Sequence, residues 1–102
     1  MEINSTINKP NIILELEHIQ LESELHEYLK STFKLDDNPK GSWDYFNDLL
    51  AGYEFPTKIV IHGWSNFVQK LPKSAANLLI ILQVNIDNQN FSRSNKTKIE
   101  LE

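Results

Sequence analysis

Cysteine is absent from the 102 residues, which excludes a disulfide framework and a thiolate zinc site alike. The absence suits a reducing compartment without demanding one. Long apolar runs are missing too: the longest, Leu78 to Leu82, is far short of the ~18 residues a membrane-spanning helix needs. The first ten residues, ending at Pro10, hold no basic stretch followed by an apolar one, so no secretory signal is expected and a cytoplasmic location is the default. Positive charge is also scarce. Ten Lys and Arg against fourteen Asp and Glu leave a formal net charge of −4, whereas binding along a phosphate backbone needs clustered bases that displace counterions. Direct binding to nucleic acid is therefore not expected, and a basic protein is the better partner. There is no Gly-rich phosphate cradle, and Gly41-Ser42-Trp43 is not a nucleophile elbow.

What is present reads as one domain of 11–102 behind a loosely held polar arm of 1–10. Asn11 to Glu17 alternates after an apolar start and predicts a strand. From Leu21 to Phe33 the period turns helical, with Leu21, Leu25, Tyr28, Leu29 and Phe33 on one side and a weak Glu27–Lys30 surface pair on the other. Lys34 to Gly41 is a loop, and a short helix lies between Gly41 and Gly52. Thr57 to His62 predicts a strand covered on both faces, stopped by Gly63. Trp64 to Leu71 predicts a short helix with Trp64, Phe67, Val68 and Leu71 inward. Pro72 opens a further segment, read as a buried helix from Ser74 to about Asp87, with a strand over Leu79 to Val84 as the alternative. Thr97 to Glu102 alternates as a half-exposed strand would. Strands joined by helical crossovers pair in parallel, so the β-α-α-β-α-α-β order predicts an α/β fold with a three-stranded parallel sheet and helices packed on it.

The short helix carries the chemistry. Ser42 suits its N-cap, and Gly52 suits a left-handed residue at its end. Trp43, Phe46 and Leu50 fall on one stripe with Leu49 beside it, while Asp44 and Asp48 sit one turn apart on another face. Asp44 is favoured by the helix dipole, but Asp48, in the last turn, is disfavoured by ~0.3 to 1 kcal/mol. Like charges four residues apart cost a further ~0.2 to 0.5 kcal/mol. From Asp36 to Glu54 five acids (Asp36, Asp37, Asp44, Asp48, Glu54) face one base, Lys40, a local balance of −4 that equals the charge of the whole chain.

Three bland or rival readings stand beside this one. Two carboxylates a turn apart can serve as an acid and base in hydrolysis, yet a solvated helix face neither separates their protonation nor excludes water. They can also be solubilising charges on an outer face and nothing more. His18 and His62 could meet on neighbouring strands as a metal pair, although ordinary strand-end and helix-surface roles for His18, His26 and His62 are the simpler expectation. Neither a metal nor a cofactor is expected.

Ser-Trp-Asp-Tyr-Phe-Asn-Asp-Leu-Leu at 42 to 50 resembles the signature of the barstar family, whose inhibitory helix carries a similar run. Leu25-His26 with Leu29, Pro56 before the second strand, and Trp64-Ser-Asn-Phe67 fall in register with it. The resemblance runs from about Ile12 to Leu82. It implies a small α/β protein with a three-stranded parallel sheet, a bacterial inhibitor that plugs a ribonuclease active site with acidic side chains, and not an enzyme. By resemblance Asp44 and Asp48 are the helix aspartates that face the enzyme. Around them Asp36, Asp37 and Glu54 are expected to supply the rim and Tyr45, Asn47 and Tyr53 to fill gaps between charges, with Trp43 in the same partner-binding surface. Asn47 stands where the family has a tryptophan, Asn38-Pro39 where it has tyrosines, and a late-helix glutamate would fall near Val84 or Asn85, with Asp87 an approximate substitute. These departures fit a diverged immunity protein or antitoxin, a monomer in a one-to-one complex with the basic active-site cleft of a different toxin nuclease. The alternative is an acidic interaction domain on the same scaffold that docks a basic partner without inhibiting an enzyme.

Overall fold

The computed structural model describes residues 10–35 and 42–102. Apart from Pro10, the N-terminal arm read from the sequence lies outside these, as do Asp36, Asp37 and Lys40. In chain order the elements are β1 (Ile12–Glu15), α1 (Glu22–Phe33), α2 (Trp43–Leu50), β2 (Lys58–His62), α3 (Trp64–Lys70), α4 (Pro72–Asn90) and β3 (Lys98–Leu101). The strands pair in parallel in the order β1-β2-β3, with Leu14 opposite Ile61 and Ile61 opposite Leu101. The fold is thus the α/β arrangement expected, a three-stranded parallel sheet with four helices.

The central strand is buried on both faces, as its run of Ile59, Val60 and Ile61 suggested, but only one of them carries the main core. Side chains alternate along a strand, so Ile59 and Ile61 join Leu14 in the core with helical residues Leu25, Phe46, Phe67 and Leu78. Val60 points the other way, beside exposed Ile13. On that face a Lys58–Glu100 pair at 3.2 Å and His62, with Glu15 and Glu102 at 2.9 and 3.1 Å, surround it. Among the described residues, long charged side chains line that face of the sheet around Val60.

Each helix has identifiable ends. Before α1, the Glu24 carboxylate reaches back to accept the backbone N–H groups of Gln20 and Leu21 at 2.8 and 3.0 Å, filling donors the first turn leaves unpaired. Gly63 separates β2 from α3 at φ 73°, where an added Cβ would lie 2.9 Å from the Glu17 backbone, so only glycine fits. Pro72 occupies the first turn of α4, where its missing N–H costs nothing. That helix is continuous through Leu79 to Val84, which settles the strand alternative: Leu78, Leu82 and Ile86 recur at four-residue spacing on its buried side. The loop before β3 is pinned by Asn90, which exchanges two hydrogen bonds with the Thr97 backbone, and by the Thr97 hydroxyl, which donates to the Pro56 carbonyl.

Candidate docking surface on the acidic helix

The Ser42 hydroxyl accepts the Tyr45 N–H at 3.2 Å and so starts α2 as its N-cap. The other end differs from expectation. Gly52 is not left-handed: the helix closes through Ala51, in right-handed geometry, whose N–H reaches the Asp48 carbonyl, and Lys34 and Gly63 are the described residues with positive φ. Tightened i→i+3 bonds from Ala51 and Tyr53 take the Asp48 and Leu50 carbonyls, which serves in place of a glycine turn.

Inward, Phe46 and Leu50 are buried, and Phe46 meets Phe33 edge-on with ring centroids 6.2 Å apart. Outward, Asp44 and Asp48 are exposed. Among the described residues no ion pair or side-chain hydrogen bond engages either carboxylate. Tyr45 is exposed beside them.

The remaining residues assigned to the surface do different work. Trp43 is half-buried, its ring 4.4 Å from that of His26, and its Nε1–H donates to Glu22 Oε2 at 2.9 Å. The same oxygen accepts the hydroxyl of buried Ser74 at 2.8 Å, so one carboxylate ties α1, α2 and α4 together. Those two bonds, Trp43 first, hold the Glu22 carboxyl below its ordinary value against the opposing effect of burial. Asn47 presents its side-chain oxygen to Asn85 Nδ2 at 2.8 Å, and Asn85, buried, also donates to the Ile81 carbonyl. Tyr53 packs edge-on between Phe33 and Phe55, its carbonyl accepts from Gln89 Nε2, and burial pushes its phenol up. Glu54 is exposed. On α4, Val84 is exposed and Asn85 turns toward α2, while Asp87 is exposed with its carboxylate bound by Gln83 Nε2 at 2.9 Å.

The histidines also part from expectation. His26 is not a surface residue of α1: it is buried beneath Trp43, its Nε2 has no partner, and burial pushes its pKa down. Its place was legible, because 26, 29 and 33 share a helical stripe with the apolar residues. His62 stands at a strand end as read, but both its nitrogens face carboxylates, so it has none to share with His18 in a metal pair. Among the described residues no group of three or more His, Asp or Glu could hold a metal ion, and none of the described helices is long and apolar enough to cross a membrane. Sequence reasoning missed Glu22, Ser74 and Asn85. Glu22 and Ser74 read as ordinary polar residues, and no local pattern marks them as partners.

The structure is thus a small α/β fold with two exposed carboxylates, unpaired among the described residues, on a helix braced from within. The family model described as "Barstar (barnase inhibitor)" matches residues 10–101, nine-tenths of the chain, and the chain belongs to the barstar family. The family supports a protein of the ribonuclease-inhibitor type, its members being protein inhibitors rather than enzymes, and a nuclease as the partner in general terms. No curated protein matches it.

Proposed function

We propose that the chain is an immunity protein that neutralises a cognate toxin ribonuclease by presenting Asp44 and Asp48 to the basic groups of its active-site cleft. The observation that carries this reading is the pair of carboxylates one helical turn apart, both exposed and without a cation among the described residues. Neighbouring anions on a rigid helix imitate successive phosphates: they meet Arg, Lys or protonated His through charge-assisted hydrogen bonds and steer encounter at low salt. Asp36, Asp37 and Glu54 are the proposed rim, and Tyr45 fills the gap between charges. Trp43 and Tyr53 support the surface from below, while Asn47 anchors it to α4. The complex is read as one-to-one and cytoplasmic.

Inhibition of ribonuclease turnover by the chain and its variants tests the proposal. Asp48→Ala should weaken binding by about 2 to 5 kcal/mol, the usual loss when one member of a desolvated ion pair is removed. The same change should leave folding stability equal or raise it by ~0.3 to 1 kcal/mol, because a last-turn anion is relieved. Unchanged inhibition by the Asp44→Ala, Asp48→Ala double variant would refute the mapping. Tight binding of the parent chain with turnover unaffected would establish docking without inhibition instead.

A further inference from the structure

On α4 three large apolar side chains face solvent: Ile80 is 60% exposed, Val84 49% and Phe91, just beyond the helix, 92%. Their spacing of four and seven residues sets them on one stripe, a ridge on the order of 16 Å long at 1.5 Å per residue. The buried residues Leu78, Leu82 and Ile86 occupy the opposite side, so the ridge contributes nothing to the core.

Its position relative to α2 follows from three contacts. Ser74 meets Trp43 through the shared Glu22 oxygen, Asn85 meets Asn47, and Gln89 meets the Tyr53 carbonyl. The two helices therefore run side by side in the same sense, with Asn47 and Asn85 facing each other across the seam. Each residue turns a helix by about 100°. From Asn47, moving away from buried Phe46 and Leu50, Asp44 lies about 60° round and Asp48 about 100°. From Asn85, moving away from Leu82 and Ile86 in the opposite rotational sense, Val84 lies about 100° round, with Phe91 and Ile80 close behind. Acids and ridge open to the same side of the seam.

We infer that Ile80, Val84 and Phe91 form the apolar half of the surface whose acidic half is Asp44 and Asp48, covered in the complex by an apolar strip of the nuclease that borders its basic cleft. This rests on the reading of α2 as the nuclease-facing helix. The ridge exposes on the order of 400 Å², about half of what each partner buries in a stable interface, so it is too small to hold a second copy by itself. A second copy would also bring two acidic faces together, whereas a basic nuclease complements the neighbouring charge. Apolar contact beside a charged patch supplies slow dissociation where the charges supply fast encounter.

The test uses a panel of barnase-type ribonuclease domains coexpressed with the chain in a bacterial host, and the ribonuclease whose toxicity the chain relieves serves as the probe. The Ile80→Ser, Val84→Ser, Phe91→Ser variant should bind it about ten- to a hundredfold more weakly, through faster dissociation. That loss should be the same at low and high salt, while the loss in the Asp44→Asn, Asp48→Asn variant shrinks as salt rises. An unchanged thermal midpoint in the ridge variant confirms that the fold is intact. If the acidic variant loses binding and the ridge variant does not, the ridge inference fails alone. If neither variant loses binding, or no ribonuclease of the panel is relieved, the functional reading fails and the ridge inference with it. A parent chain that sediments as a dimer, dissociated by the ridge substitutions, would assign the ridge to self-association and overturn the inference.

Discussion

Glu22→Ala should be among the most damaging single changes at an exposed acid in this protein. Its Oε2 accepts both Trp43 Nε1–H and the Ser74 hydroxyl. Once it is gone, the indole is near enough to solvent to find water, at a net loss of ~0.5 kcal/mol. Ser74 is buried, and leaving its hydroxyl without an acceptor costs ~1 to 3 kcal/mol. Because Glu22 itself is exposed, solvent already weakens its charge, and the lower half of that range is appropriate, giving about 2 kcal/mol in all. For a domain of this size that lowers the thermal midpoint by roughly 8 to 16 °C. Urea unfolding followed by tryptophan fluorescence measures it, since Trp43 reports on α2 directly. The pH dependence follows from the depressed carboxyl. A group whose folded pKa lies below its unfolded value contributes stability above the unfolded pKa and loses it as pH falls through the folded one. The difference between parent and Glu22→Ala should thus be full above about pH 4.5 and narrow below it. Glu27→Ala, at an exposed acid whose pair with Lys30 is 3.8 Å long, provides the control and should cost under about 0.5 kcal/mol. A Glu22→Ala cost no larger than that would refute the idea that this carboxylate joins three helices.

Two further changes test other features. His62, between Glu15 and Glu102, is raised above its ordinary value, first by its hydrogen bond to Glu15; such a group stabilises fully below its unfolded pKa and loses its effect as pH rises through the folded one. Proton NMR titration should place His62 above about 6.5, and His62→Gln should remove the fall in stability across that higher window; a titration at or below the ordinary value would contradict the strand-end cluster. Gly52→Ala should stabilise the protein by ~0.4 to 1 kcal/mol, because an added Cβ meets nothing within 4 Å and the backbone is not left-handed. Gly63→Ala, by contrast, should cost more than about 1 kcal/mol, and equal effects at both glycines in thermal unfolding would overturn the distinction between them.

The elements were readable because their signals are local. Ser42 as a cap, the Trp43-Phe46-Leu50 stripe, Pro72 at a helix start and the alternation of Ile99 and Leu101 with charged neighbours each depend on residues within a turn or two. Leu79 to Val84 has the composition of a strand, yet the helix from Ser74 to about Asp87 was the correct reading, because Leu78, Leu82 and Ile86 recur on one side over the longer stretch. The misread features depend on what lies across the fold. Gly52 carried a turn signal that i→i+3 bonds made unnecessary. Of the surface, Asp44 and Asp48 were legible as an outward acidic face. Asn47, by contrast, looked like a free contact residue until its oxygen was found turned to Asn85, a partner 38 positions away that no local spacing could indicate.

The two sides of α2 make opposite demands on stability, and the fold separates them. A helix of eight residues is too short to persist by itself, and its outward acids make it weaker: Asp48 sits where the dipole opposes it, and Asp44 repels it. The inner side compensates through packing of Phe46 and Leu50, through the indole locked between His26 and Glu22, and through Asn85 at the flank. None of these contacts uses an Asp44 or Asp48 carboxylate, so the acids are free to vary in sequence without loss of the platform. Changes to Glu22, His26 or Asn85 act differently: they leave the charges in place but loosen the geometry that holds them a turn apart. A binding defect from the inner set should therefore shrink when the temperature is lowered and α2 is held more firmly, whereas one from the outer set should persist at every temperature at which the protein is folded.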